Sequence, residues 1–418
     1  MLQTISLGIF AFIIATTLLI SYKPLRQVGK WLGISVGGVA VLAAAVYGYF
    51  MRPIHIPAAP VVDAQTALSN TKELLAKANF YLGAGVYTAE DINHPAFAGF
   101  FNSYSSINEL KIGSVLKSPH ERSYDFTQAD QFITQAQQQD LRIRGHALVF
   151  GKLSDVYERP NLQTWLDTHY SDATQKRHAL QELVDHHIDK MLSHYKGRIT
   201  QWDVVNEPLG LFGQGSLEDN VFLRTLGPDY IARAFTRAHA VDGDAKLFLN
   251  EQFDRYTGPR AEAFINLVRA LKDKGVPLHG VGLQHHMLFT LAAAQETKEF
   301  IERLAALGVE VEITELDARL RLFADEQNPH LAQAEYYRDI IKTCFDISAC
   351  KGVTFWGLHD QDAWHKEIPW MFPNPNAPYL FDENKTAKIA VQLISEEIAR
   401  WQPRGNRENP EVKEPLIN

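Results

Sequence analysis

The sequence predicts an α/β chain built on a (β/α)8 barrel (a TIM barrel), preceded by an N-terminal transmembrane helical hairpin. Three observations predict it. After residue 62, short β-rich segments alternate with helical patterns, about eight of each. Five of the β segments finish in polar or ionisable residues: Glu207, Glu251, His286, Glu315 with Asp317, and Asp360. Barrel active sites are built at the carboxyl ends of the strands. Before residue 51 lie two apolar runs that carry no charge.

The runs are Ile5 to Ile20 and Trp31 to Phe50. The second is long enough to cross a hydrocarbon core of about 30 Å as a helix, and the first reaches that length if Ser21 and Tyr22 extend it. The alternative for the first run is a cleaved signal peptide. That needs a basic leading region, and Met1-Leu2-Gln3-Thr4 has none. Lys23, Arg26 and Lys30 lie in the loop between the runs, and positive residues hold such a loop on the cytoplasmic side. Trp31, Tyr47 and Tyr49 sit where interfacial aromatics belong. Residues 1–50 thus read as an anchor in the cytoplasmic (inner) membrane, with all that follows facing the periplasm or exterior. Residues 51–62, with Pro53, Pro57 and Pro60, read as a stiff linker. Residues 63–402 form the barrel, and 403–418 a polar tail to which no role is assigned.

A chain of 418 residues, 46% hydrophobic and 22% charged, can bury a large core. A net charge of −8 argues against a nucleic-acid partner, which would favour a clustered basic surface. No G-x-G-x-x-G opens a helix after a strand and no G-x-x-x-x-G-K-[ST] occurs, so neither a dinucleotide nor a phosphate-loop cofactor is implied. Cys344 and Cys350 are six positions apart. A disulfide between them fits an oxidising compartment; two ordinary buried thiols are the alternative.

The expected strands are Tyr81–Tyr87, Ser106–Lys111, Arg142–Phe150, Gln201–Glu207, Lys246–Glu251, Gly280–Met287, Val311–Asp317 and Gly352–Asp360. The expected helices are Thr66–Asn79, Gln128–Gln139, Lys176–Tyr195, Pro228–Val241, Pro259–Lys274, Leu291–Leu307, His330–Ile347 and Lys385–Trp401. Gly275 and Gly308 punctuate helix ends. Strand side chains alternate, which puts Asp203, Val205 and Glu207 on one face, and Val311, Ile313, Glu315 and Asp317 on another. With the apolar members pointing into the barrel, Glu207, Glu315 and Asp317 reach its mouth.

Two glutamates at a barrel mouth suit glycosidic bond cleavage, where one protonates the leaving oxygen and the other attacks the anomeric carbon or activates water. The alternative for either alone is a salt-bridged barrel carboxylate. Gln284 and His286 share a face, and His286 can join Glu315 and Asp317 in one hydrogen-bonded network. Paired histidines also serve as metal ligands. Metal-dependent barrel hydrolases carry His-x-His on the first strand, where this chain has Tyr81–Tyr87 without a ligand type, so no metal is expected. Trp356 and Trp364 offer flat faces for stacking on a pyranose; barrel packing is the alternative for each.

These residues resemble glycoside hydrolase family 10, the endo-β-1,4-xylanase family. The resemblance rests on Trp202–Glu207, Ile313–Asp317, Gly282–His286, Arg144-Gly145-His146, Val353–Trp364 and Tyr379-Leu380-Phe381-Asp382-Glu383, in the family's order over about residues 65–402. It implies a retaining double displacement without a cofactor, with Glu207 as acid/base and Glu315 as nucleophile. Asn206 matches the residue that bonds the sugar 2-hydroxyl; His286, Asp317 and Gln284 match the nucleophile's support. Asn108, Lys111 and His146 match glycone-side sugar contacts, and Trp356 and Trp364 the aromatic walls. The spacing of Cys344 and Cys350 resembles a disulfide found in many members. Departures are Phe150-Gly151 where the family has Trp-His, Ile107 where it has glutamate, and Gln252-Phe253 after Asn250-Glu251.

The substrate expected from the resemblance is a xylan-like β-1,4-linked polysaccharide. The departures and the anchor leave open a second polymer, an exopolysaccharide made at the cell's own membrane. A third reading is a sugar-binding protein without catalysis, against which Asn206, Glu207, His286 and Glu315 all stand intact.

Overall fold

The computed structural model describes residues 45, 47–49, 51–57, 59–60, 62–151, 161–210, 215–253 and 255–402. Both expected membrane spans lie outside the described residues, apart from 45 and 47–49, as does the tail 403–418. Among the described residues no helix is long and apolar enough to cross a membrane. The described residues divide into two compact units. The smaller joins those up to Pro57 to Trp364–Asn376. Within it the Tyr47 hydroxyl donates to the Trp370 carbonyl (3.2 Å), and Trp364 stacks on His365 with centroids 4.2 Å apart.

The larger unit is a closed (β/α)8 barrel. Its strands are β1 (Tyr81–Val86), β2 (Ser103–Ser106), β3 (Arg142–Phe150), β4 (Gln201–Asn206), β5 (Lys246–Glu251), β6 (Gly280–Leu283), β7 (Glu310–Ala318) and β8 (Cys350–Phe355). All neighbours pair in parallel, in sequence order. β7 pairs with β8, and β8 with β1 through Tyr81↔Gly352, so the sheet has no free edge. His286–Met287 extends β6 beside Asp317 and Ala318. The principal helices are α1 (Gln65–Ala78), α2 (Thr127–Gln138), α3 (Ala173–Tyr195), α4 (Tyr230–Val241), α5 (Pro259–Asp273), α6 (Ala294–Ala305), α7 (Pro329–Asp346) and α8 (Ile389–Ile398).

Local chemistry sets these ends. The Asp172 side chain accepts from the amides of Thr174 and Gln175 to cap α3, and Asn328 caps α7 ahead of Pro329. Gly275 (φ +70) and Gly308 (φ +73) follow α5 and α6 in the left-handed region where glycine costs nothing. α1 precedes the first strand and packs beside α8, where the hydroxyls of Thr71 and Ser395 meet at 2.8 Å. Trp401 stacks on Phe345 of α7 at 3.7 Å. Cys344 and Cys350 form a disulfide from the end of α7 to the start of β8. Closing so short a loop removes about 2 kcal/mol of unfolded-chain entropy.

Two expectations need correction. The second strand is Ser103–Ser106, not Ser106–Lys111, so Asn108 and Lys111 sit on the loop behind it. The barrel interior is also not apolar at β4 and β7. Arg144 donates to Asp203, to which it is closely paired, and to Glu312 (2.9 Å). Gln201 donates to Glu312 (3.0 Å), and Arg142 to the other oxygen of Glu312 (2.7 Å). Since β7 is not a neighbour of β3 or β4, these bonds run through the barrel's centre. The inward positions are therefore Gln201, Asp203 and Glu312, while Val311 and Ile313 belong to the other face. Register shifts at Asp203/Val205 and Ile313/Leu316 then break the alternation and bring Glu315 round to the mouth.

Candidate active site

β4 ends on Asn206, and Glu207 follows with φ +50. A left-handed backbone at a residue other than glycine costs about 1 kcal/mol. Here it is held by the Glu207 amide donating to the Asn250 carbonyl at 2.8 Å. Strain fixed in this way is typical of functional positions.

Glu315 is buried, and each of its oxygens has a partner. Oε1 accepts from Asn250 Nδ2 at 2.6 Å, and Oε2 lies 3.0 Å from His286 Nε2. His286 Nδ1 lies 2.8 Å from Asp317 Oδ2. Burial alone would lower the His286 imidazole, but the Asp317 and Glu315 carboxylates outweigh it and push it up to about 10. It is therefore an imidazolium through the neutral range, losing its proton only as pH rises through about 10. An acceptor-only carboxylate on Glu315 is what that donor requires.

The two glutamates are joined by a chain of amides. Gln284 Nε2 donates to Glu207 Oε1 at 3.1 Å and to Asn206 Oδ1 at 3.3 Å. Asn250 Nδ2 donates to the same Asn206 oxygen at 2.8 Å as well as to Glu315. Thr314 fixes the Asn250 amide by donating to its Oδ1 at 2.7 Å. Gly282 on β6 gives Asn250 its room, since a Cβ there would stand 2.0 Å from Asn250 Oδ1.

A second group lies beside β3. His146 Nδ1 is 2.9 Å from Asp203 Oδ2, and its ring meets Trp356 edge-on at 5.1 Å. Trp356 also stands 6.3 Å from the His286 ring, which joins this group to the glutamates. Lys111 Nζ donates to Asn108 Oδ1 at 3.0 Å and lies 5.6 Å from the Phe150 ring. Glu207, Glu315, Asn206, Gln284, His286, Asp317, His146 and Trp356, with Asn108 and Lys111 beside Phe150, are thus gathered at the carboxyl ends of the strands. Trp364 belongs to the smaller unit.

Three residues escaped the sequence reading. Asn250 was legible only as the end of β5. Glu109 is buried, which raises its carboxyl to about 7, and it accepts from the amides of Ile107 (3.2 Å) and Asn108 (3.3 Å). It holds the loop that carries Asn108 and Lys111. Arg144 supports His146 through Asp203, whose carboxyl is held below its usual range. Burial opposes that shift, and the Arg144 charge and the His146 bond overcome it. Two of the five strand-end groups hold loops. Glu251 accepts from the amide of Leu209 (2.8 Å) and from Arg260 (2.7 Å). Asp360 pairs with Lys388 (2.9 Å) and accepts from the amide of Tyr379. Among the described residues, one group has the makings of a metal site: Asp91, His359 and Asp362.

The family model for glycosyl hydrolase family 10 matches residues 71–397. An endo-1,4-β-xylanase A of Phanerodontia chrysosporium is 32% identical over 77% of this chain and 74% of its own length. An endo-1,4-β-xylanase B of Paenibacillus barcinonensis is 32% identical over 76% of this chain and 95% of its own. The crystal structure of xylanase 10B from Thermotoga petrophila in complex with xylobiose superposes with a TM-score of 0.69 at 29% identity, covering 79% of this chain and 97% of that one.

Proposed function

The chain belongs to glycosyl hydrolase family 10, and from that premise we propose that it is an endo-1,4-β-xylanase that cleaves xylan with retention of configuration. The carrying observation is the amide relay from Glu207 through Gln284, Asn206 and Asn250 to Glu315. Glu207 protonates the leaving glycosidic oxygen while Glu315 attacks the anomeric carbon, giving a covalent glycosyl-enzyme. Glu207 then takes a proton from water as that water displaces Glu315. The His286 imidazolium and Asn250 hold the Glu315 carboxylate in aim. Asn206, whose Oδ1 already serves Asn250 and Gln284, turns its amide N–H toward the sugar 2-hydroxyl. Asn108, Lys111 and His146 bind the glycone side. Trp356 supplies an apolar wall for the pyranose rings.

The xylanase relatives favour xylan over an exopolysaccharide, and the intact relay favours hydrolysis over binding alone. The full chain is expected to release xylo-oligosaccharides from β-1,4-xylan, and NMR of the first product should record the β anomer. An α anomer appearing first would remove Glu315 as nucleophile. Activity confined to the host's own polysaccharide would remove the substrate.

Residues 1–50 are read as a two-span anchor that leaves the barrel outside the cytoplasmic membrane. The uncharged runs at 5–20 and 31–50 and the basic loop between them support it. The protein is expected to stay with membranes in alkaline carbonate, and its barrel to be digested by protease added outside spheroplasts. Release by carbonate would end this reading.

A further inference from the structure

The loop after β1 meets the loop after β8 at a cluster the hydrolytic chemistry does not use. Asp91, on the short 3-10 turn Ala89–Asn93, is buried, and so is His359. His359 Nε2 lies 3.2 Å from Asp362 Oδ2 and 3.6 Å from Asp91 Oδ1. Among the described residues neither ring nitrogen of His359 makes a hydrogen bond, although the residue is only 2% exposed. A buried imidazole with carboxylates near it but no aligned hydrogen bond is costly. This one is aimed between two carboxylates, and one ligand atom from each of the three residues lies within 4.8 Å of the others.

We propose that Asp91, His359 and Asp362 form a binding site for a divalent transition cation, zinc first among them, that ties the β1 loop to the β8 loop. One imidazole nitrogen with two carboxylate oxygens is a donor set for zinc and its first-row neighbours rather than for calcium, which takes six to eight oxygens. Three protein ligands leave room for water in the fourth position.

Lys385 is the built-in competitor. Its ammonium donates to Asp91 Oδ1 at 2.5 Å, while Thr88 holds Asp91 Oδ2 at 2.7 Å. The Lys385 side chain is 45% exposed, so it can swing into solvent and yield Oδ1 to the ion while Thr88 keeps the carboxylate in place. In the absence of the ion it supplies the positive charge that the two aspartates need.

The test is equilibrium dialysis of the metal-stripped full chain against zinc, with bound metal counted and thermal unfolding followed in parallel. One equivalent is expected to bind and to raise the unfolding midpoint. His359→Gln and Asp362→Asn should each weaken binding at least tenfold and abolish that rise, while the folded circular dichroism spectrum and xylan hydrolysis persist. Lys385→Met should tighten binding, an effect that a merely structural role for the cluster would not produce. Zinc retained by the His359 and Asp362 variants, no equivalent bound by the parent chain, or calcium bound more tightly than zinc would each overturn the proposal. None of these outcomes bears on the roles of Glu207 and Glu315.

Discussion

Glu315→Ala is expected to lower hydrolysis of xylan by about 10^4-fold or more, the scale of losing a covalent nucleophile. On the proposed mechanism this variant lacks the carboxylate that would form the covalent intermediate, and the small space left admits an external anion. Azide should therefore restore turnover of an activated aryl β-xyloside and yield the α-azide, since the anion enters from the face Glu315 occupied. Asn250 and His286 lose a shared acceptor, so the unfolding midpoint is measured alongside. An unchanged rate in a folded variant would end the double-displacement mechanism. Rescue giving the β-azide would assign the vacated position to the acid/base instead.

Glu207→Ala should divide substrates by their leaving groups. With xylan, whose leaving oxygen needs a proton, the loss is expected to be about 10^2 to 10^4-fold. With an aryl xyloside whose leaving group departs unaided, formation of the glycosyl-enzyme should stay close to the parent rate. Its breakdown should become slow, because no base deprotonates water. The measurement is stopped-flow release of the phenol. A burst followed by a slow steady state is the expected trace, and azide should now speed the slow phase and give the β-azide. Equal losses on both substrates would make Glu207 a binding group only.

Much of this was written in the local sequence. The alternation of apolar runs with helical patterns gave the barrel, and Asn206-Glu207-Pro208 and Glu315-Leu316-Asp317 closed their expected strands. What local reading missed has a common cause. Ser103–Ser106 is a strand without a hydrophobic signature, because neighbouring strands hold it on both sides. The parity rule failed at β4 and β7 because register shifts sit inside the two strands that carry Glu207 and Glu315. No periodicity argument locates such a shift. Asn250 and Glu109 owe their roles to contacts across strands or to a loop's own fold, and residue type alone does not reveal these. Glu251 and Asp360 looked like equals of Glu315 in sequence. Arg260 and Lys388, supplied from distant segments, give them structural work instead.

The charges at the barrel's centre carry a consequence for acid exposure. Asp203 and Glu312 are both buried, which by itself would raise their carboxyls, yet Arg144, with His146 at Asp203 and Arg142 at Glu312, holds them below the ordinary range. Groups depressed in this way lend stability above their unfolded-chain values near pH 4 and withdraw it as pH falls through the lower folded ones. Neutralising them would leave the Arg144 guanidinium in the middle of the sheet without counter-ions. Souring the medium therefore attacks this protein from its axis outward, and its tolerance ends abruptly once those two carboxyls take up protons.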